Sequence, residues 1–340
     1  MGFISYGELK KLGILGMNRR NVRFISQYNE RRRYPLVDDK LKTKLILQKA
    51  SVAVPELLKV VSTQHEIEHT EDMLRSLPAF VIKPAQGSGG KGILVIIAQR
   101  DGSFIKSNGN AVSFEDAKRH MTNIISGLHS LGGRADVAII EALVHISPIF
   151  ERYSYEGVPD IRIIVFKGYP VMGMLRLATR QSDGKANLHQ GAVGVGLDIG
   201  TGRAVAAVQQ NRRVTHHPDT DALLSEIVVP NWRQLMLLAA RCYDVTHLGY
   251  LGCDIVIDLN RGPLLLELNA RPGLSIQIAN NQGLLPRLYD IEALDEFAAS
   301  VESRVDYSMA KFTHQAAREQ TSLWDSDEQT RIGQVDLETG

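Results

Sequence analysis

Residues 80–96 read FVIKPAQGSGGKGILVI, and the fold turns on how this stretch is understood. Two apolar runs flank Gly87, Gly89, Gly90, Gly92 and Lys91. Glycine lets backbone N–H groups approach an anion closely, so a phosphate is the first ligand to consider. The segment satisfies GxGxxG, yet three familiar phosphate loops fail to fit it. A dinucleotide fingerprint needs a helix directly after the glycines, and here the run Ile93-Leu94-Val95-Ile96-Ile97 reads as a strand. A P-loop needs Ser or Thr after its lysine, and Lys91 precedes Gly92. A kinase loop does lie between strands, but no HRD or DFG triplet follows. What remains is strand, glycine loop, strand: a hairpin able to close over phosphates. Lys83 sits at the end of its first strand, within reach of the same charge. The plain alternative for Lys83 is a strand-end lysine lying along apolar surface.

Outward from that hairpin, residues 1–35 are rich in Arg and Asn and show no strong period. After Tyr34-Pro35 a helix is expected, capped within Val37-Asp38-Asp39, with a stripe of Leu41, Leu45, Leu47 and Ala50, and ended by Pro55. Strands are expected at 79–83 and 92–98, turning at Arg100-Asp101-Gly102. A helix at 114–130 would carry Phe114, Ala117, Met121, Ile124, Ile125 and Leu128 on one face. Further strands are expected at 136–141, 160–166 and 171–179. Residues 181–203 read as an irregular loop with a hairpin at 198–202. A helix at 232–247 precedes a hairpin of strands 253–258 and 263–268, and 322–340 reads as a polar, frayed end.

Composition excludes several classes. With 44% apolar and 23% charged residues the chain is an ordinary globular sequence, long enough at 340 residues for one large core or two to three lobes. A formal charge of +1 gives no broad field for nucleic acid, and Arg31-Arg32-Arg33 reads as a solvated helix end. No apolar run reaches the roughly 18 to 20 residues of a membrane span. Cys242 and Cys253 are too few for a disulfide framework and lack zinc spacing. The start, MGFISYGELKK, does not read as a signal peptide, so a reducing cytoplasm is expected. His65-Glu66-Ile67-Glu68-His69 matches HExxH. With Glu71 and Asp72 beside it, however, the segment reads as a solvated helix rather than a zinc cleft.

The second informative stretch is 253–275, CDIVIDLNRGPLLLELNARPGLS. Asp254 lies on one strand of a hairpin and Glu267 and Asn269 on the next, where the period of two puts the last pair on one face. Two carboxylates and an amide oxygen form a hard-oxygen set suited to magnesium shared with nucleotide phosphates. A structural ion pair for Glu267, which sits among leucines, is the alternative reading.

Six motifs in order now carry a resemblance: Asp39-Lys40-Leu41-Lys42-Thr43-Lys44; FVIKP with its glycine hairpin; Ile140-Glu141-Ala142-Leu143; Asp160-Ile161-Arg162; Asn187-Leu188-His189-Gln190-Gly191; and D-x12-E-x-N followed by ARPG. Over roughly residues 36–290 the sequence resembles the ATP-grasp superfamily, and within it the RimK-like α-L-glutamate ligases. The resemblance implies an α+β fold in which two α+β lobes clasp ATP. It implies an extension at 1–36 and an ATP-grasp domain at 37–300. The lid-bearing lobe would lie at about 60–140, the catalytic lobe at about 141–300, and a tail at 301–340. The separate α/β domain that usually precedes the first lysine in such proteins would then be truncated or absent. A second departure is Gly252, where relatives of the D-alanine ligase type place an arginine.

The resemblance further implies that Lys40 and Lys83 contact the α- and β-phosphates. Gln86, Gly87, Ser88, Gly89, Gly90, Lys91 and Gly92 would form the lid over the γ-phosphate. Glu141 would accept from the adenine amino group, Ala142 and Leu143 would supply the backbone hinge, and Asp160 would hold the ribose. Asp254, Glu267 and Asn269 would bind two Mg2+ ions, with Mn2+ as the alternative. Among the remaining groups, Arg176 and Arg271 suit transition-state charge, Arg162 and Arg180 suit carboxylate recognition, and Asn187 and His189 suit orientation of a substrate. The expected activity is an ADP-forming carboxylate–amine ligation that adds an amino acid such as glutamate to a peptide, protein or small-molecule acceptor. An ATP-binding protein without ligation and an ATP-grasp phosphotransferase are the alternatives. The expected partners are ATP, an amino acid and an amine or peptide, with no nucleic acid or membrane; a homodimer is the commonest oligomer.

Overall fold

Alternating burial along short strands produces two antiparallel sheets, each apolar on one face and polar on the other. The computed structural model describes residues 6–87, 90–130 and 132–313. The first sheet holds β1 (Leu57–Val61), β2 (Phe80–Pro84), β3 (Leu94–Arg100), β4 (Ser103–Lys106), β5 (Ala111–Val112) and β6 (Ala138–Ala142), in the order β1-β6-β2-β3-β4-β5. Phe80, Ile82, Ile96, Ala138 and Ile140 turn inward and pack on Ala117, Met121 and Ile124 of the Phe114–Ile125 helix. A reciprocal cap between Ser113 and Asp116 starts that helix. It stops at Ile125 rather than continuing to 130, because the chain turns at Gly127 with φ +87°, and Leu128 is left exposed. The opposite face of the sheet carries Val81, Lys83, Val95 and Glu141.

The second sheet holds β7 (Asp160–Phe166), β8 (Tyr169–Leu177), β9 (Val193–Leu197), β10 (Ala204–Gln209), β11 (Arg212–Arg213), β12 (Tyr250–Asp258) and β13 (Gly262–Asn269), ordered β11-β10-β9-β8-β7-β12-β13. Ile161, Ile163, Leu175 and Cys253 face the Trp232–Thr246 helix and the larger core. β9 corrects the expected irregular loop. Val193, Val195 and Leu197 are fully buried, and Gly194 and Gly196 leave room for Leu188 and for the backbone at Ala279. The expected turn at 198–202 joins β9 to β10. Residues 301–311, expected as the start of a tail, form a helix with Arg304 and Val305 buried. The frayed end at 322–340 lies outside the described residues.

The amino-terminal segment is part of the larger core. It forms a short helix, Tyr6–Lys11, and a continuous helical stretch made of Met17–Arg19, a wider π turn at Arg20–Ile25, and Ser26–Tyr28; Phe24 and Ile25 of that stretch, and Leu15 before it, join that core without a regular helical period. Phe24 meets Phe166 edge to face at 5.6 Å. The Asn29 amide donates to the Tyr250 carbonyl (2.7 Å) and accepts from the Tyr250 N–H (2.8 Å), as another strand would.

The Lys40–Lys49 helix is capped by Asp39, which accepts from the Lys42 N–H at 3.0 Å. Its buried face is Thr43, Lys44 and Leu47 rather than the expected leucine stripe, and Leu45 is exposed. The reason is its position: Leu47 enters the larger core, while Lys40 and Lys44, one turn apart, face the first sheet. No helix among the described residues is long and apolar enough to cross a membrane.

Truncating a fully buried phenylalanine removes both transfer energy and packing. Phe24→Ala should therefore cost about 3–5 kcal/mol of stability, measured by urea unfolding. A change below about 1 kcal/mol would mean that the amino-terminal turns are not integral to the core.

Candidate active site

Strand register assembles the site. Met174 of β8, Arg162 of β7, Asp254 of β12 and Glu267 of β13 are successive cross-strand partners, forming one row over four strands. One step along the sheet Arg176 faces Asp160, and Asn269 faces Gly252. Directly opposed residues share a face and side chains repeat every two positions. Asp160, Arg162, Arg176, Asp254, Glu267 and Asn269 therefore all point away from the helix-covered side.

Within this face Arg162 grips Asp254 with two bonds, Nε to Oδ1 at 2.7 Å and Nη2 to Oδ2 at 2.6 Å. Arg176 places Nη2 2.9 Å from the same Oδ2 and forks onto both oxygens of Asp160. Asn269 donates to Asp254 at 3.3 Å. Burial would raise the Asp254 carboxyl, but the two guanidiniums outweigh it and hold the group down at about 2. Burial raises Asp160, and the neighbouring Asp254 charge adds to it, so Arg176 leaves this group at about 6. Arg176, though buried, is pushed up by Asp160 and Asp254 and stays charged.

The first sheet contributes the facing groups. Lys40 Nζ donates to the Gly87 carbonyl at 2.6 Å and lies 3.3 Å from Glu267 Oε1, joining the glycine loop to the carboxylate row. Lys83 Nζ and Lys44 Nζ lie 2.7 and 2.9 Å from the two oxygens of Glu141. The loop is pinned at its root: the Asp136 carboxylate accepts from the Gln86 N–H at 2.9 Å, and His120 Nε2 sits 2.9 Å from the Gly92 carbonyl. Gly90 and Lys91 are exposed at its tip, and Ser88 and Gly89 lie outside the described residues.

A small cavity beside the row is lined by Arg162, Arg176, Asn187 and His189, with Met174 and Leu188 as apolar wall. Four of the expected residues thus converge. Arg271 does not join them; it is exposed, with its guanidinium 5.0 Å from the Tyr34 ring. Arg180 is also exposed, over Tyr155 at 5.0 Å. Gly252 is explained by contact, since a Cβ there would come 2.7 Å from Pro272 Cβ. The positive charge beside Asp254 comes from Arg162 and Arg176, and Arg271 does not supply it. The oxygens of Asp160 are taken by Arg176, and the Ala142 N–H by the Glu56 carbonyl at 3.0 Å. Sequence reading missed Lys44 and Asp136. Lys44 had a signal, its i+4 spacing from Lys40.

The HExxH match forms no metal site. Glu66 is spent on the cap at Thr63, and His69 Nδ1 bonds the His65 carbonyl. Among the described residues no cluster of three His, Cys, Asp or Glu side chains could hold an ion. Two carboxylates and an amide, Asp254, Glu267 and Asn269, form the hard-oxygen set that is present.

With this geometry in place, the family comparison is decisive: the sugar-transfer associated ATP-grasp model matches residues 19–293. The chain belongs to this ATP-grasp family. The two sheets are accordingly the two lobes of an ATP-grasp fold of α+β class. No curated protein matches the sequence. Among solved structures the chain is similar to an ATP-grasp ligase, PsnB, complexed with minimal precursor (15% identity, TM-score 0.43, 77% of this chain and 61% of that one). It is also similar to D-cycloserine synthetase DcsG (14%, 0.45, 76% and 70%). A third match is the D-alanine-D-alanine ligase from Coxiella burnetii (11%, 0.41, 87% and 63%). The chain thus spans about three fifths of the PsnB chain, and identities this low assign no residue role.

The two aspartates make opposite pH predictions. Asp160 is raised from its ordinary 3.8 to about 6, so its contribution is present below pH 4 and lost as pH rises through 6. Asp254 is lowered to about 2, so its contribution is present above pH 4 and lost as pH falls towards 2. The stability of the wild type relative to Asp160→Asn should therefore fall between pH 4 and 6 and level off above. Urea unfolding at half-unit intervals measures this, and a flat difference would contradict the buried-aspartate assignment.

Proposed function

We propose that the chain is an ATP- and magnesium-dependent carboxylate–amine ligase that works through an acylphosphate. The observation that carries this reading is Lys40. It links the glycine loop at Gly87 to Glu267 in the carboxylate row, which supports reading the loop and the row as parts of one site. In the proposed reaction a substrate carboxylate oxygen attacks the γ-phosphorus of ATP, the bond to the bridging oxygen breaks, and ADP leaves. An amine nitrogen then attacks the acyl carbon, inorganic phosphate leaves, and the nitrogen gives up a proton to form the amide. Lys40 and Lys83 offset the phosphate charge, Arg162 and Arg176 hold the carboxylate in the cavity, and Asn187 and His189 orient the second substrate. The hairpin at 86–92 keeps water from the acylphosphate. Leu143 supplies the hinge amide, since that of Ala142 is taken.

Asp254, Glu267 and Asn269 would hold Mg2+, to which their carboxylate and amide oxygens are suited by donor chemistry. The metal supplies Lewis-acid charge neutralisation on the phosphates. The finer reading, towards α-L-glutamate ligases that extend a peptide or protein, rests on the resemblance carried by the six ordered motifs. The family's link to sugar transfer adds amino sugars to the amines worth testing. One observation favours the alternative of an ATP-binding protein without ligation: both Asp254 oxygens are already engaged by arginine.

ADP release with Mg-ATP, over a panel of amino acids, peptides and amino sugars with product masses read in parallel, tests the proposal. The expected result is ADP that depends on one acid–amine pair and a product one water lighter than the pair. Glu267→Gln should then lower turnover by about a hundredfold or more. Magnesium-dependent ATP binding with no ADP from any pair would move the assignment to the binding protein.

A further inference from the structure

The strand that carries Glu267 and Asn269 ends at Asn269, and the corner that follows, Ala270-Arg271-Pro272-Gly273, lies beyond the last paired residue of the ladder. Its backbone must find hydrogen bonds elsewhere. The amino-terminal segment supplies two: Arg20 Nη1 donates to the Pro272 carbonyl at 2.7 Å, and Asn29 Nδ2 donates to the Ala270 carbonyl at 3.2 Å. Both side chains are buried, with Phe24 and Ile25 in the core between them. The guanidinium is aimed by Asn21, whose Oδ1 accepts from Arg20 Nε at 3.0 Å and from Nη2 at 2.8 Å. Among the described residues no carboxylate pairs with Arg20, which spends its bonds on neutral acceptors. Burial lowers the guanidinium, Tyr250 opposes that shift, and the charge of Arg271 adds to it. A buried cation beside a like charge is a costly way to satisfy one carbonyl, and such local conflicts gather at functional sites. The place supplies the function. Pro272 packs on Gly252, the cross-strand partner of Asn269, and the next residue, Gly273, lines the small cavity.

We propose that Arg20 is a positioning residue: by holding the Pro272 carbonyl it fixes the corner after β13 and keeps Asn269 in place in the cation-binding row. This rests on the reading above that Asp254, Glu267 and Asn269 hold Mg2+. The amino-terminal segment then shapes the site through the backbone of the corner, without placing a side chain in the row. The bonds of Arg20 run to Asn21 and Pro272, and those of Lys40 and Lys83 to Gly87, Glu267 and Glu141. Loss of Arg20 therefore weakens the magnesium-dependent part of nucleotide binding and spares the part that the lysines supply.

The test is the affinity for ATP, by titration calorimetry, with magnesium and with a chelator in its place, for the wild type, Arg20→Met, Arg20→Lys and Asn21→Ala. Arg20→Met should lose about tenfold of the affinity that magnesium adds, the range seen when a group supporting a metal ligand is removed, with the affinity for chelated ATP unchanged. Arg20→Lys keeps a donor for the Pro272 carbonyl and should recover most of the loss. Asn21→Ala alters an exposed residue, which keeps the proposal testable should Arg20→Met fold poorly, and it should lose a smaller part of the same gain. Equal weakening of ATP binding with and without magnesium, or a magnesium gain that survives in every folded variant, would make Arg20 purely structural and overturn the proposal while the ATP-site reading stands. A wild type whose ATP affinity does not depend on magnesium would overturn the reading of the row itself, and the inference with it.

Discussion

Two aspartates and two arginines, Asp254 buried and the others largely so, meet on one face of the second sheet and set the constraint that the rest of the structure answers. Asp160, Arg162, Arg176 and Asp254 are four charges with no net charge, and each carboxylate is held in a fork by a guanidinium. Removing Asp254 leaves both guanidiniums without their shared partner, an uncompensated charge that costs about 3–5 kcal/mol. The cluster exists only if β8, β7 and β12 keep their register. A slip of one residue would turn Arg162 into the core and Ile163 onto the site. The apolar face beneath, with Ile161, Ile163, Leu175 and Cys253 against the Trp232–Thr246 helix, opposes that slip.

The link between the lobes is the Lys40–Lys49 helix. Its backbone starts on the glycine loop, where the Lys40 N–H donates to the Ala85 carbonyl at 2.9 Å, and its Leu47 ends in the larger core. Two lysines on its cleft side then reach the two carboxylates that matter there, Glu267 in the second sheet and Glu141 in the first. One helix thus carries side chains to the glycine loop, to the carboxylate row and to Glu141. The pinned root at Gln86 and Gly92, with an exposed tip at Gly90 and Lys91, suits a hinge at the base of the hairpin.

Much of this was legible because antiparallel strands repeat every two residues. That period put Glu267 and Asn269 on one face and rejected the helix that a dinucleotide loop would need. It also placed the strand at 160–166 where β7 is observed. The pairing of Arg162 with Asp254 was hidden, since those residues are 92 positions apart and β7 and β12 are not consecutive strands. β9 was hidden by Gly194 and Gly196, which give a strand the composition of a loop. Lys44 was hidden because a lysine in a lysine-rich helix reads as solvated, and only the facing Glu141 makes its burial tolerable. The amino-terminal turns were hidden because Leu15 and Phe24 enter the core singly, without a period to announce them.

The most direct test of the central claim, that the cleft between the glycine hairpin and the carboxylate row binds Mg-ATP, is amide hydrogen exchange with and without that ligand. The account predicts new protection at residues 85–93, at 141–145 and at the start of the Lys40–Lys49 helix, and little change at the Trp232–Thr246 helix behind the sheet. Protection confined to that helix, or none at saturating Mg-ATP, would contradict it.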